Sequence, residues 1–215
     1  MPHILARTFY ARPSIVVARD LIGKTLVRNL AGGVCLRGIV VETEAYGGTK
    51  DPASHAFRGM TPRNEIMFGD AGFSYVYFTY GFHNCLNVVT GRKGRAQAVL
   101  IRAMEPIEGL EKMKELRGGS TGDPVNLTNG PGKICQALAI DRSLNKVDIT
   151  KNNSPIYFES SNLEQLGRKV LKSSRIGISA GKDKLWRFYD SSSPYVSHRG
   201  KINLGPRLPF RLSRP

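Results

Sequence analysis

Residues 39–46 read IVVETEAY, an apolar strand pattern that runs into two carboxylates, Glu42 and Glu44, and stops at Tyr46. Three β-branched residues in a row are typical of a buried strand. Alternation along a strand places both carboxylates and the tyrosine ring on one face. A buried carboxylate is costly unless it is paired or its reactivity is used. The stretch therefore predicts either an acid–base site or a buried ion pair with an arginine such as Arg102, and the residues alone leave both open.

The sequence around this strand predicts more strands, followed by helices. Apolar alternation indicates strands in KTLVRNL (24–30), CLRGIVVETEA (35–45), FSYVYFTYGFHNCLNVVTG (73–91, a hairpin) and AQAVLIRA (96–103). Helices are predicted in PSIVVARDLIGK (13–24), where Ser14 would be the N-cap, and in PIEGLEKMKELRG (106–118) and GPGKICQALAI (130–140). Short strands are expected in KVLKSSRIGIS and WRFYD. Because strands precede helices, we expect an α+β domain rather than a doubly wound sheet.

The charge of the chain predicts a polyanionic partner. It carries 32 Lys and Arg against 17 Asp and Glu, a formal net charge of +15. Such an excess attracts nucleic acid or anionic membranes. No apolar run reaches the roughly 20 residues of a membrane span, and the N-terminus has no signal pattern. We therefore expect a protein that meets nucleic acid and has no membrane partner.

Cysteine and histidine usage predicts no metal site and no disulfide framework. The three cysteines lack a C-x-x-C spacing, and the four histidines show no ligand spacing. We expect residues 1–198 to form the single domain. Residues 199–215 form a separate tail with five basic residues, no acid and three prolines. Such a tail is expected to be extended and to lie along a polyanion.

Three further stretches offer contacts to nucleic acid. Tyr80 stands beside Gly81 at the predicted hairpin tip, where an exposed ring would wedge between bases. Residues 131–133, Pro-Gly-Lys, open a helix whose free N–H groups and lysine suit a phosphate, although an ordinary helix start explains them equally well. Arg63, in the loop RGMTPRN, suits a phosphate too, but a loop arginine is more often a solvated surface residue.

In combination, these motifs resemble the alkyladenine DNA glycosylases, also called 3-methyladenine or methylpurine DNA glycosylases. The resemblance spans about residues 8–198 in the family's order. It is carried by DLIGKTLVRNL, LRGIVVETEAYGG, DPASHAFRG, TPRNEIMF, YVYFTYGFHNCLN, AVLIRAMEPIEGLEKM and NGPGKICQALAI, with a looser match at SPYVSHR. It implies a single compact domain with a curved antiparallel sheet, surrounding helices and a protruding β-hairpin. It also implies an enzyme that flips a damaged purine out of duplex DNA and hydrolyses its N-glycosidic bond with water.

The resemblance implies catalytic and base-contacting roles for five residues. Glu44 would be the general base that deprotonates the attacking water, and Arg102 would help to hold that water and Glu44. Tyr46 would stack on the flipped base, His55 would contact it from the other side, and Tyr77 would close the edge of the pocket. Rings suit a cationic alkylated purine, because their faces attract positive charge. The bond cleaved would be that of 3-methyladenine, 7-methylguanine or hypoxanthine.

Five more residues would contact the DNA or read the base. Tyr80 would fill the gap that the flipped base leaves in the stack, and Asn87 would face the purine edge. Arg63, Lys133 and Gly132 would meet phosphates of the backbone.

These implications leave alternatives open. A non-catalytic RNA-binding module would carry the same charge, but it would not need Glu44 beside a ring pocket. A glycosylase that has lost activity is a third possibility. We expect a monomer without cofactor, cytoplasmic and nucleoid-associated in a prokaryote or nuclear in a eukaryote.

Overall fold

The computed structural model describes residues 3–79, 81, 83–119, 122–160 and 169–197. Within these ranges the strands form one eight-stranded sheet in which neighbouring strands run antiparallel. The strands are β1 (Thr25–Asn29), β2 (Cys35–Tyr46), β3 (Ser74–Thr79), β4 (His83–Thr90), β5 (Gln97–Glu108), β6 (Ile156–Glu159), β7 (Val170–Ser173) and β8 (Arg187–Asp190). With four short helices, this architecture confirms the expected α+β class.

Strand β2 is the centre of the sheet, which runs in the order β3-β4-β5-β2-β1-β6. One edge of β2 pairs with β5 along most of its length. Its other edge pairs first with β1 and then, from Glu42 to Glu44, with β8. The register with β5 shifts on both sides of Glu42, which marks an irregularity at the carboxylates. Because partners cover both edges and every residue from 38 to 45 is buried, the carboxylates of β2 lie inside the protein.

The four helices are α1 (Arg7–Tyr10), α2 (Ser14–Asp20), α3 (Leu110–Leu116) and α4 (Pro131–Ala137). Each of them contributes apolar side chains to the main core, and Val17 of α2 and Ile134 of α4 are fully buried there with residues of the sheet. Pro131 occupies the first turn of α4, where its missing N–H has no cost.

The expectation for Ser14 was wrong. The N-cap of α2 is Pro13, and no side chain caps this helix. The backbone N–H of Ser14 instead donates to Gln97 Oε1 at 2.9 Å. A partner on a distant strand thus satisfies one of the N–H groups at the start of the helix that have no intrahelical partner.

The predicted hairpin is formed by β3 and β4, which pair from Ser74↔Val88 to Thr79↔His83. Gly81 has a φ of +75°, a conformation that suits glycine at a turn. The short strands expected in KVLKSSRIGIS and WRFYD are confirmed as β7 and β8. Tyr80 and the tail 199–215 lie outside the described residues. In the described ranges no helix is long and apolar enough to cross a membrane, and no cluster of His, Cys, Asp or Glu could hold a metal ion.

Candidate active site

Glu44 lies near the C-terminal end of β2, and its side chain has no exposed surface. Three donors contact its carboxylate. The Tyr46 hydroxyl donates to Oε2 at 2.9 Å, and Arg102 Nη1 of β5 lies 3.3 Å from the same oxygen. The backbone N–H of Ile176 donates to Oε1 at 2.7 Å. These contacts hold the carboxylate rigidly in one orientation, as a positioned acid–base group requires.

Glu42, two residues earlier on the same face, has a different environment. Its Oε1 accepts from Arg187 Nε at 2.7 Å, from Arg102 Nε at 3.1 Å and from the Ser197 hydroxyl at 2.9 Å. Its Oε2 accepts from the Ser197 backbone N–H at 2.6 Å. The ion-pair interpretation of the VETEAY stretch is therefore confirmed for Glu42, and the acid–base interpretation stays a prediction for Glu44. Glu42 forms a structural ion-pair network, while Glu44 shares only Arg102 with it.

Arg102 joins the two carboxylates. Burial by itself would lower the pKa of this guanidinium, but the carboxylates of Glu44 and Glu42 outweigh burial and raise it. Arg102 therefore stays positively charged between the two carboxylates, and its attraction to them offsets part of the cost of burying this cluster.

A cavity of about 370 Å³ opens beside this cluster. Among the residues that line it are Tyr46, Ala53, Ser54, His55, Met67, Tyr77, Cys85, Leu100, Arg102 and Ile176. Glu44 is not among them, but its three donors are, so the carboxylate lies directly behind the cavity wall. The structure thus brings Tyr46, His55, Tyr77 and Arg102, four residues singled out from the sequence, to one cavity.

Another part of the cavity lining is aromatic. The His55 and Tyr77 rings meet edge to face, with centroids 4.5 Å apart, and His55 Nδ1 lies 2.9 Å from the Tyr75 hydroxyl. Arg63 lies over the Tyr77 ring at 5.3 Å, and its Nη2 donates to the Phe78 carbonyl at 3.2 Å. Burial raises the pKa of Tyr77, and burial followed by the charge of Arg63 lowers the pKa of His55. At neutral pH, this part of the lining presents uncharged rings to the cavity, and the guanidinium of Arg63 lies over one of them.

Tyr46 stands against a second buried ion pair. Arg175 lies 4.8 Å from the centre of the Tyr46 ring and forms a two-pronged pair with Asp51, with neither side chain exposed. Arg175 also donates to the Ala45 carbonyl at 3.0 Å. Burial would raise the pKa of Asp51, but its hydrogen bonds to Arg175 and to backbone N–H groups outweigh burial and lower it. The guanidinium of this pair therefore packs on the Tyr46 ring, which also lines the cavity.

Three other residues singled out from the sequence, Asn87, Gly132 and Lys133, do not line the cavity. Asn87 is buried, and its amide donates to the carbonyls of Tyr75 and Cys85 at 3.2 and 3.4 Å. Lys133 Nζ donates to Asn129 Oδ1 at 2.6 Å near the start of α4. Gly132 packs so closely on His83 of the hairpin that a Cβ there would meet the ring at 2.9 Å.

Sequence reasoning gave no site role to Arg175 and Ile176, or to the partners of Glu42 on and after β8, Arg187 and Ser197. Two of these contacts are made by backbone N–H groups, which no side-chain pattern encodes. The others join residues more than 120 positions apart. The one local signal is the stretch RIGIS (175–179), in which an arginine precedes two isoleucines separated by a glycine.

Comparison with known proteins gives the relatives of this chain. A family model described as methylpurine-DNA glycosylase matches residues 8–194. A protein of Methanocella arvoryzae is 50% identical over 200 residues, covering 91% of this chain and 96% of the relative. A protein of Carboxydothermus hydrogenoformans is 48% identical over 196 residues, covering 91% and 100%. Both relatives carry the description "Putative 3-methyladenine DNA glycosylase".

Proposed function

Because this chain belongs to the methylpurine-DNA glycosylase family, we propose that it excises alkylated and deaminated purines from duplex DNA. The substrates are of the 3-methyladenine, 7-methylguanine and hypoxanthine class. The enzyme turns the damaged nucleotide out of the helix and hydrolyses the N-glycosidic bond with an activated water, which begins base excision repair. It acts as a monomer and needs no cofactor.

Glu44 is the general base of this reaction. A water oxygen attacks C1′ of the sugar, the electrons of the N-glycosidic bond pass to the departing purine, and the proton of the water passes to Glu44. The carboxylate also stabilises the oxocarbenium character that develops at C1′. Arg102 and the Ile176 N–H keep Glu44 in place while this happens. Since Glu44 lies behind the wall, the water must enter between Tyr46, Arg102 and Ile176.

The cavity holds the flipped base between Tyr46 and the wall of His55 and Tyr77. Electron-rich ring faces attract a cationic alkylated purine. Because Arg175 covers one side of Tyr46, the base stacks on the opposite side. Lesions are favoured further because extruding a weakly paired base costs less than extruding a normal one.

The DNA duplex is held by phosphate contacts around the cavity. Arg63 stands on the aromatic wall, while Gly132 and Lys133 lie at the start of α4, next to the hairpin through His83. The formal net charge of +15 supports such contacts. Tyr80, at the hairpin tip, fills the gap in the stack, and Asn87 reads the purine edge from the sheet.

The observation that carries this proposal is a fully buried carboxylate, Glu44, whose donors form the wall of a ring-lined cavity. To test it, the protein is incubated with duplexes that contain hypoxanthine or an alkylated adenine, and the strands are analysed before and after alkali. A break that appears only after alkali, with Glu44→Gln and an undamaged duplex as negative controls, supports a monofunctional glycosylase. Binding without abasic sites on any lesion duplex would instead favour the non-catalytic module.

A further inference from the structure

We propose that residues 55–64, called the rim turn below, form a second contact to duplex DNA, in which Met60 and Phe57 pack against the nucleotides that flank the extruded one. This inference rests on the proposed function, because the partner is the same DNA. It concerns a surface outside the cavity, and it gives a role to two exposed apolar side chains that the reaction does not use.

The rim turn borders the cavity at both of its ends. His55, its first residue, lines the cavity and is also exposed, so the cavity reaches the protein surface there. Near the other end, Arg63 lies over the Tyr77 ring of the lining at 5.3 Å and donates to the Phe78 carbonyl at 3.2 Å. A nucleotide in the cavity stays joined to the duplex through its phosphates. The flanking DNA therefore passes over the surface next to the cavity, which includes the rim turn.

The backbone of the rim turn is held in one conformation by the buried side chain of Asn64. Its Nδ2 donates to the carbonyls of His55 and Gly59 at 2.8 and 3.0 Å, and its Oδ1 accepts from the Thr61 N–H at 2.7 Å. Gly59 has a φ of +93°, which glycine adopts without strain in a tight turn. A turn fixed in this way presents its side chains to a partner without a large ordering cost on binding.

The side chains that the rim turn presents are apolar and open to solvent. Phe57 is 47% exposed, and Met60, at 61%, is the most exposed large apolar side chain among the described residues. Single exposed apolar residues are common on protein surfaces. These two, however, stand three positions apart on one rigid turn beside the cavity. Methionine and phenylalanine are among the side chains that proteins insert against or between the bases of a duplex.

The charge of the same stretch favours DNA as the partner. Residues 54–64 contain Arg58 and Arg63 and no acid, and the next acid, Glu65, pairs with Lys146. Cations beside apolar side chains match a duplex, where phosphates lie next to sugars and bases. A second copy of this chain, with a formal net charge of +15, would be repelled by the same arginines.

The placement is tested by photo-crosslinking of the full chain to a duplex that contains a tetrahydrofuran abasic analogue. This duplex offers no base to the cavity and no bond to hydrolyse. A benzophenone amino acid replaces Met60 or, as the control, Ile107, which is 45% exposed near the C-terminal end of β5. We expect crosslinks from position 60 to nucleotides beside the analogue and none from position 107. Equal DNA crosslinking from both positions, or a crosslink from position 60 to a second protein chain instead of DNA, would overturn the proposal.

The contribution to affinity is measured by titrating the same duplex over a range of salt concentrations. Burial of a whole methionine side chain strengthens binding by about 10- to 150-fold, and Met60 has more than half of its surface left to bury. Met60→Ser should therefore weaken the complex by about 5- to 20-fold with the salt slope unchanged. Arg58→Gln should instead lower the slope of log K against log salt by about one.

Ile107→Ser is the matched control, and it should change neither quantity. Because Met60 and Ile107 are both exposed, the midpoint of urea unfolding should stay constant in both variants. Unchanged affinity in Met60→Ser, or an equal loss in Ile107→Ser, would overturn the proposal. These measurements follow binding and not excision. A chain that crosslinks from position 60 but excises no lesion would refute the proposed function alone, whereas excision with unchanged binding by Met60→Ser would refute this inference alone.

Discussion

Arg175 and Asp51 form an ion pair through two parallel contacts of 2.5 and 2.8 Å, with both side chains completely shielded from solvent. Asp51 also accepts from the backbone N–H groups of Gly47 and Ala53. The pair thereby joins the loop that follows β2 to the segment whose next residue, Ile176, donates to Glu44. A buried ion pair of this kind holds two walls of the cavity in register rather than adding much net stability.

Substitution of one partner of this pair should be strongly destabilising. Asp51→Asn leaves the Arg175 guanidinium buried without a counter-ion, and we expect the free energy of unfolding to fall by about 3–5 kcal/mol. Urea denaturation measures this. The double variant Asp51→Leu with Arg175→Met removes both charges and should recover much of the loss. A fall of less than about 1 kcal/mol in Asp51→Asn, as for an exposed pair, would contradict this view.

The same double variant separates alignment from stability. Without the pair, the Ile176 N–H is no longer held against Glu44, so single-turnover excision should stay below that of the unmodified enzyme even where folding is restored. Excision at the unmodified rate in a stable double variant would mean that the pair has only a structural role.

Removing the basicity of Glu44 should abolish most of the catalysis. Glu44→Gln keeps the shape of the side chain but cannot accept a proton from water. Positioned acid–base catalysis contributes about 10²–10⁴-fold, so single-turnover excision should fall by at least that factor, with lesion binding nearly intact. Glu65→Gln, at a half-exposed carboxylate outside the cavity, is the matched control. Excision by Glu44→Gln at the unmodified rate would remove Glu44 from the mechanism.

The salt dependence of DNA binding tests whether Lys133 contacts a phosphate. Each neutralised phosphate adds about 0.9 to the slope of log K against log salt, so Lys133→Ala should lower that slope by about one. Affinity for lesion and plain duplexes should decrease alike, which titrations over a range of salt concentrations measure. Lys151→Ala removes a well-exposed lysine as a control. A change in lesion discrimination would show that Lys133 is no simple phosphate contact.

A variant of Asn87 tests whether this residue excludes guanine, which differs from hypoxanthine by one exocyclic amino group. Asn87 pairs with Tyr75 across the hairpin and stands two residues beyond Cys85, a lining residue on the same face of β4. If the asparagine crowds the amino group, Asn87→Ala should raise excision of mismatched guanine relative to hypoxanthine. A rejection worth about 3 kcal/mol corresponds to more than 100-fold.

The alternative for Asn87 is a purely structural role through its hydrogen bonds to the Tyr75 and Cys85 carbonyls. In that case the variant loses stability and excises every substrate less well. The ratio of guanine to hypoxanthine excision then stays constant, and this result would refute a role of Asn87 in excluding guanine.

The local features of this protein could be predicted from its sequence. Alternation in VETEAY placed Glu42, Glu44 and Tyr46 on one face, and in the structure both carboxylates meet Arg102. The hairpin, the start of α4 at Pro131 and the short strands β7 and β8 followed from apolar alternation and turn residues in the same way. These features depend on neighbours within a few positions, and that is the range over which strand and helix periodicity operates.

The surroundings of the two carboxylates were decided by tertiary structure. Glu42 and Glu44 are the same residue type on the same face of the same strand, so strand alternation does not separate them, and only the family resemblance singled out Glu44 from the sequence. Only folding brings Arg187 and Ser197 to Glu42, and the Ile176 N–H to Glu44 at the cavity wall. These partners lie more than 130 positions away, and two of them donate through the backbone, which every residue type shares. The sequence by itself thus determined that a carboxylate would be buried beside an aromatic ring, and the packing of β8 and the segment before it decided which carboxylate lies directly behind the cavity wall.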